Sequence, residues 1–226
     1  SSDVCSSDLS GHTITVKFAI NVYTITVSTS ANGTASLLGT DTVNFGGSYV
    51  VNMFPVGGYH VETVIIDGET SVTAVDNSYT FSNISESHTI AITFAINRYD
   101  ITAITLDTNG VINPSGITSV NHGSDLEYSV TPNIGYHIDS VYVDGEYVGA
   151  GATYSFTNVV TPHSIAVKFD INKFVINAAA EENGSISPSA EIVLNYGSSQ
   201  TFTFTPDARF VVSSVLVDSE IGRAHV

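Results

Sequence analysis

The stretch Ile134–Glu146, IGYHIDSVYVDGE, gathers His137, Asp139, Tyr142, Asp144 and Glu146 into thirteen residues. Such residues move protons, ligate divalent cations or stack against sugars. Related positions occur elsewhere. His60 also follows a Gly-Tyr pair, Asp67 and Asp218 stand where Asp144 does, and His12, His88 and His163 each open a segment of alternating apolar residues. A zinc site needs three or four converging ligands, and a calcium site six to eight oxygens. A nucleophile needs a positioned base and a third group that orients it. None of these requirements is met by pattern. The chain has one cysteine, Cys5, and it contains no G-x-S-x-G, phosphate-loop or HExxH motif. Each Asp of the turn has only one Glu nearby. We therefore expect no metal, no cofactor and no catalytic residue in this region.

Internal repetition explains the cluster more simply. HTITVKFAIN (12–21) recurs as HTIAITFAIN (88–97) and HSIAVKFDIN (163–172), at spacings of 76 and 75. GGYHVETVIIDGE (57–69) recurs as IGYHIDSVYVDGE and again as ARFVVSSVLVDSE, where the third copy has Val211 in place of the histidine. The Asn-Gly segments at 31–39, 108–116 and 182–190 form a third family. NFGGSYVVNMFP (44–55), NHGSDLEYSVTP (121–132) and NYGSSQTFTFTP (195–206) form a fourth. The chain divides into the last strand of a preceding repeat (10–21), two complete repeats (22–97 and 98–172) and a shortened third (173–219).

The ends are set apart. Residues 3–9, DVCSSDL, and 220–226, EIGRAHV, can be written as reverse complements of one DNA sequence, the signature of a sequencing adapter read through at both ends of a fragment. Segments 1–9 and 220–226 are therefore excluded from the fold. With them go Cys5, Arg223 and His225, and any leader or anchor lies outside what the sequence can report.

Composition narrows the classes. The chain holds 22 acidic and 6 basic residues, a formal charge of −16; removing three acidic residues and one basic residue at the ends leaves −14. That balance excludes nucleic acid as a partner, since its phosphates demand Lys and Arg, and it disfavours an anionic membrane surface. No apolar run reaches the roughly 18 residues that span a bilayer, so no membrane insertion is expected in this fragment.

The elements that position the candidate residues are strands. Ile90, Ile92, Phe94 and Ile96 alternate with Thr89, Ala91, Thr93 and Ala95, the period of a half-buried strand. Asn32-Gly33 and Asp67-Gly68 are hairpin signals. No segment has a helical period. Each repeat reads as five to seven short antiparallel strands, so the fold class is all-β: tandem domains of about 75 residues in a row. At Asn21, Asn97 and Asn172 the apolar parity switches, from even through Ile96 to odd from Tyr99. A one-residue shift turns the apolar set to the opposite face, so each Asn marks the passage between cores. With no linker, adjacent repeats of the chain are one another's partners, held semi-rigidly.

The combined pattern, Y-x-I-x-V, an Asn-Gly turn, G-Y-x-I-x-x-V-x-V-D-G, Y-x-F-x-N-V and H-x-I-x-V-x-F-x-x-N, resembles the divergent InlB B-repeat domains of bacterial surface proteins. The resemblance covers nearly all of 11–219. It implies a compact β-grasp-like fold, a secreted or cell-surface location, and a role as stalk or spacer. The alternative is an adhesive module for a glycan or host protein. For that reading Tyr142 and Tyr147 are the candidate ligand-binding residues, because their counterparts in the first repeat are Ile65 and Thr70. The other aromatic columns, such as Tyr23, Tyr99 and Phe174, read as packing anchors. No lysine lies between Lys17 and Lys168, so the first complete repeat cannot form a Lys–Asn crosslink.

Overall fold

The computed structural model describes residues 13–72, 76–218 and 220–221. Among them there is no helix, and the chain divides into two compact units, Ser1–Asn97 and Arg98–Val226. His12, Cys5, Arg223 and His225 lie outside the described residues.

In the first unit the strands are β1 (Val22–Thr29), β2 (Gly33–Ala35), β3 (Gly39–Asn44), β4 (Tyr49–Pro55), β5 (Tyr59–Ile66), β6 (Thr70–Val72), β7 (Ser78–Phe81) and β8 (His88–Ile96). They form a five-stranded sheet in the order β3-β1-β8-β5-β6 and a three-stranded sheet, β2-β4-β7. The second unit begins with β9 (Arg98–Thr105), β10 (Gly110–Asn113), β11 (Gly116–Asn121), β12 (Leu126–Pro132), β13 (Tyr136–Val143), β14 (Glu146–Gly149), β15 (Thr153–Phe156) and β16 (His163–Ile171). These repeat the arrangement as β11-β9-β16-β13-β14 and β10-β12-β15. Six shorter strands follow, β17 (Lys173–Ala178), β18 (Gly184–Ser187), β19 (Ala190–Asn195), β20 (Thr203–Pro206), β21 (Leu216–Val217) and β22 (Glu220–Ile221). They pair as β17-β19, β18-β20 and β21-β22. Residues 220–221, set aside on sequence grounds, thus pair with β21.

The all-β tandem architecture agrees with the sequence, with two corrections. Among the described residues each complete repeat has eight strands rather than five to seven. And the strands are not all antiparallel: β1 pairs β8 in parallel, Ile25 opposite His88 through Thr29 opposite Ile92, and β9 pairs β16 the same way. Alternation records which side chains face inward but not strand direction. A parallel pair needs a long crossover between its strands, and the rest of the repeat supplies it. First and last strand side by side at the middle of the sheet is the β-grasp-like feature; the three-stranded sheet supplies the other half of the core.

Both cores form between the two sheets. Ile25, Val51, Met53, Val64, Ile90 and Ile92 are buried in the first, and Ile101, Tyr128, Val141, Ile165, Val167 and Phe169 in the second. Burial falls on even positions in β8 and odd positions in β9, each strand serving its own core. Two contacts lock the layers. The Phe94 ring occupies the space where a Cβ on Gly33 would stand, and Phe169 does the same at Gly110. That is why a glycine follows Asn at these turns. Tyr128 is fully buried, and its hydroxyl finds no hydrogen bond of good geometry among the described residues; burial pushes its pKa up.

Candidate functional site

The residues of Ile134–Glu146 do not converge. His137, Asp139, Tyr142 and Asp144 each face a different partner, and most of these contacts tie strands together. Asp144 and Gly145 both have positive φ, 51° and 86°, the geometry of a type I′ hairpin, and Asp67 and Gly68 match them. The Asp does more than turn the chain. One Asp144 oxygen accepts from His163 Nδ1 at 2.7 Å, and the other accepts from the Ser164 backbone N–H at 2.8 Å. Asp67 repeats this with His88 at 2.8 Å and the Thr89 N–H at 2.7 Å. The turn between β13 and β14 is thereby fastened to the start of β16. Burial alone would raise the pKa of both carboxyls, but the bonds from histidine and backbone N–H together hold them below the usual carboxylate value. Each histidine also lies against a core ring, His88 on Phe81 at 5.1 Å and His163 on Phe156 at 5.0 Å.

His137 belongs to a second fastening. Its Nδ1 bonds the Asn172 side-chain oxygen at 2.9 Å, and the Asn172 N–H donates to the Gly135 carbonyl at 2.8 Å. The Asn172 carbonyl accepts from the Tyr196 N–H at 2.8 Å. The Tyr196 ring fills the place of a Cβ on Gly135. In the first unit His60 holds Asn97 at 2.8 Å, and the Asn97 N–H reaches the Gly58 carbonyl at 2.8 Å. Asn97 and Asn172, two of the residues that mark a change of parity, are thus held by side chain and backbone, and the histidine column ends where Val211 replaces it. Asp139 sits at a bulge in β13 and pairs with Lys168 at 3.1 Å; the Lys168 hydrogen bond lowers its pKa. A shallow groove lined by His137, Asp170, Asn172, Lys173 and Phe174 runs beside this joint. Among the described residues no three His, Cys, Asp or Glu side chains are grouped to hold a metal ion, and no helix is long and apolar enough to cross a membrane.

Tyr142 and Tyr147 do meet. They are register partners across β13 and β14, with ring centroids 6.0 Å apart in an edge-to-face arrangement. By register, Tyr142 also stands opposite Ala166, and Ala166 opposite Ile104. The row Ile104–Ala166–Tyr142–Tyr147 crosses four strands, about 14 Å at the usual strand spacing, on the sheet face turned away from the core. The corresponding row in the first unit is Ser28–Ala91–Ile65–Ser71. Register therefore makes Ser71, not Thr70, the counterpart of Tyr147. Ile117 similarly stands where the first unit has Thr40. Sequence reasoning missed Ile104 and Ile117. The available signal was phase: both are apolar on the polar alternation of their strands.

Residues 99–173 match the family model described as the divergent InlB B-repeat domain. No curated protein matches the chain. Among solved structures, one similar chain is described as the Bacillus anthracis TIE protein, at 12% identity and a TM-score of 0.31. The similarity covers 83% of this chain and 44% of that one, so this chain spans less than half of that protein's length.

Proposed function

Starting from residues 99–173 as a divergent InlB B-repeat domain, a repeat unit of bacterial surface proteins, we propose that this chain is a non-catalytic stalk or spacer, outside the cell, that carries other domains away from a surface. One observation supports the mechanical role above others. In each complete repeat the first and last strands run parallel and adjacent, at the centre of the sheet. The chain enters the unit through one and leaves through the other. Tension between entry and exit therefore shears the pair, and the hydrogen bonds between Ile25–Thr29 and His88–Ile92 bear load together rather than opening one at a time. In each complete repeat one carboxylate fastening ties the start of the last strand to a neighbouring turn, at the end of the sheared pair remote from the exit. The recurring histidines and the turn aspartates have the same structural partners in both units, which favours a scaffold over a single reactive centre.

Stretching single chains between their termini tests this. The expected record has an abrupt unfolding event for each complete repeat, each releasing roughly 200 Å or more at about 3.4 Å per residue. Gradual lengthening at low force would overturn the reading, and hydrolase activity in the purified chain would overturn its non-catalytic part.

A second reading, an adhesive surface for a glycan or host protein, is favoured by the row Ile104–Ala166–Tyr142–Tyr147. Tyrosine is enriched at interfaces, and the first unit shows that the same frame accepts Ser28, Ile65 and Ser71 there. Grafting those residues as I104S, Y142I and Y147S gives the test: cell or glycan adhesion unchanged by the graft removes this reading.

A further inference from the structure

Tyr142 and Tyr147 end an apolar strip whose borders are polar on both sides. By register, the row before Ile104–Ala166–Tyr142 holds Thr102 opposite Ser164. The row after it holds Lys168 opposite Ser140, with Asp139 joined to Lys168 at 3.1 Å. Successive side chains on one face of a strand are about 7 Å apart, so hydroxyls flank the strip on one side and an ion pair on the other. In the first unit the strip is broken, with Ser28 and Ser71 at its ends. The borders there are hydroxyls as well, Thr26 beside Thr89 and Thr63 beside Thr93. The apolar strip is thus a property of one repeat, laid on a frame common to both.

The strip is open but small. Ile104 is 48% exposed and Tyr147 63%. At roughly 14 by 7 Å it falls far short of the about 800 Å² that each partner brings to a standard protein–protein contact, even with the exposed Ile117 added beside Thr102. The two tyrosine rings meet at 65°, so they form a corner rather than a flat plate. A small ring lying on one of them meets the edge of the other. A pyranose with equatorial hydroxyls has the matching form. Its faces carry only C–H groups, which suit an aromatic surface, and its hydroxyls project around the rim, towards the polar borders of the strip.

Charge narrows the sugar further. The Asp139 carboxylate is taken by Lys168, and that of Asp144 by His163 and the Ser164 N–H. Neither is left to meet a cation. Glu146 stands opposite Val143, on the other parity of β14 from Tyr147. The chain as a whole carries a formal charge of −16, which repels an anion.

We propose that the strip Ile104–Ala166–Tyr142–Tyr147 binds an uncharged glycan built of pyranoses with equatorial hydroxyls, one sugar ring being seated in the corner between Tyr142 and Tyr147. The inference rests on the adhesive reading and narrows its occupant from glycan or protein to one class of glycan.

An NMR titration of the full chain, its tyrosine rings isotopically labelled, tests this with two uncharged probes, cellohexaose and the hexamer of N-acetylglucosamine. At least one should shift the Tyr142 and Tyr147 ring signals to saturation, with the same dissociation constant at low and high salt because no charge is neutralised. Tyr147→Ala should weaken binding about tenfold, the loss of one aromatic contact, whereas Tyr147→Phe keeps the ring and should keep most of the affinity. Hexagalacturonate, an anion, and the hexamer of glucosamine, a cation, should bind more weakly than the uncharged probes. Unchanged hydrogen-exchange protection of β13 and β16 shows that the variants remain folded. The proposal is overturned by the lack of a saturable shift with either uncharged probe, by tighter binding of a charged one, or by binding indifferent to Tyr147→Ala. Adhesion that is lost in the I104S, Y142I and Y147S graft while neither uncharged probe binds would remove the glycan and leave the adhesive reading with a protein as its occupant. Adhesion untouched by the graft would remove that reading and this inference with it.

Discussion

Replacing Asp144 separates two roles that the structure gives to one side chain. The carboxylate accepts from His163 and from the Ser164 N–H, and the backbone holds φ at 51°. Asp144→Asn keeps a side chain that tolerates this conformation and one acceptor, and should cost about 1 kcal/mol, the value of one lost hydrogen bond. Asp144→Gly removes both bonds but relieves the backbone, and should cost about 1.5 to 2 kcal/mol, the lower end for charge-assisted bonds because the carboxylate is half exposed. Asp144→Ala loses both bonds and leaves a Cβ in the left-handed region, which adds about 1 kcal/mol, for a total of about 3 kcal/mol. For a unit of this size each kcal/mol lowers the melting temperature by about 4 to 8 °C. Hydrogen exchange at β13 and β16 isolates this unit from the first. The order Ala worse than Gly worse than Asn is the diagnostic. If Gly were as damaging as Ala, backbone strain would have no part; if Ala stayed within about 0.5 kcal/mol of the wild type, a typical neutral surface change, the fastening would contribute nothing. The pH dependence has a fixed sign. The folded carboxyl lies below its unfolded value, so its contribution is complete above the unfolded pKa, about 3.9, and is lost as pH falls through the folded value. Asp144→Asn should flatten that acid limb.

Gly110→Ala drives a Cβ into the Phe169 ring and should cost about 1 to 3 kcal/mol as overpacking, read as a lower urea midpoint for the second unit with no change in slope. Tyr128→Phe removes a buried hydroxyl that makes no hydrogen bond of good geometry, with only the Thr118 side chain in reach, so it should be neutral or raise stability by about 1 kcal/mol; a loss of that size would mean the hydroxyl bonds Thr118. Gly135→Ala meets the Tyr196 ring at a φ of 86° and should loosen the Asn172 joint, seen as faster exchange in β17 and β19 while β10, β12 and β15 stay protected.

The strands and hairpins were legible because their signals are local. Alternation in HTIAITFAIN fixes which side chains of β8 are buried, and Asp-Gly at 67–68 and 144–145 requires two positive φ values. The use of Asp67 and Asp144 as fastenings was not legible, because it depends on β8 and β16 lying beside those turns, and no local pattern encodes strand neighbours. Parallel pairing was missed for the same reason. The change of parity at Asn172 pointed to a joint, but the grip of His137 and the Gly135–Tyr196 contact exist only once distant residues meet. Tyr142 and Tyr147 stood out by breaking their columns. Ile104 joined them only when register placed it in the same row.

The central position of β8 and β16 also sets the order in which the protein can be made. The first strand of a repeat leaves the ribosome some sixty residues before the strand that must lie beside it, at 88–92 for a partner at 25–29. Such separations make folding slow. Until the last nine residues emerge, each repeat is a half-built sheet with an open middle, and the closing strand of its neighbour is nearly the same sequence. A nascent array of such units therefore risks closing one repeat with the strand of another, a characteristic failure of repeat proteins. Differences between copies, such as Lys168, which stands opposite Ser140 and pairs with Asp139 where the first repeat has Thr93 opposite Thr63, give each closing strand a reason to prefer its own sheet.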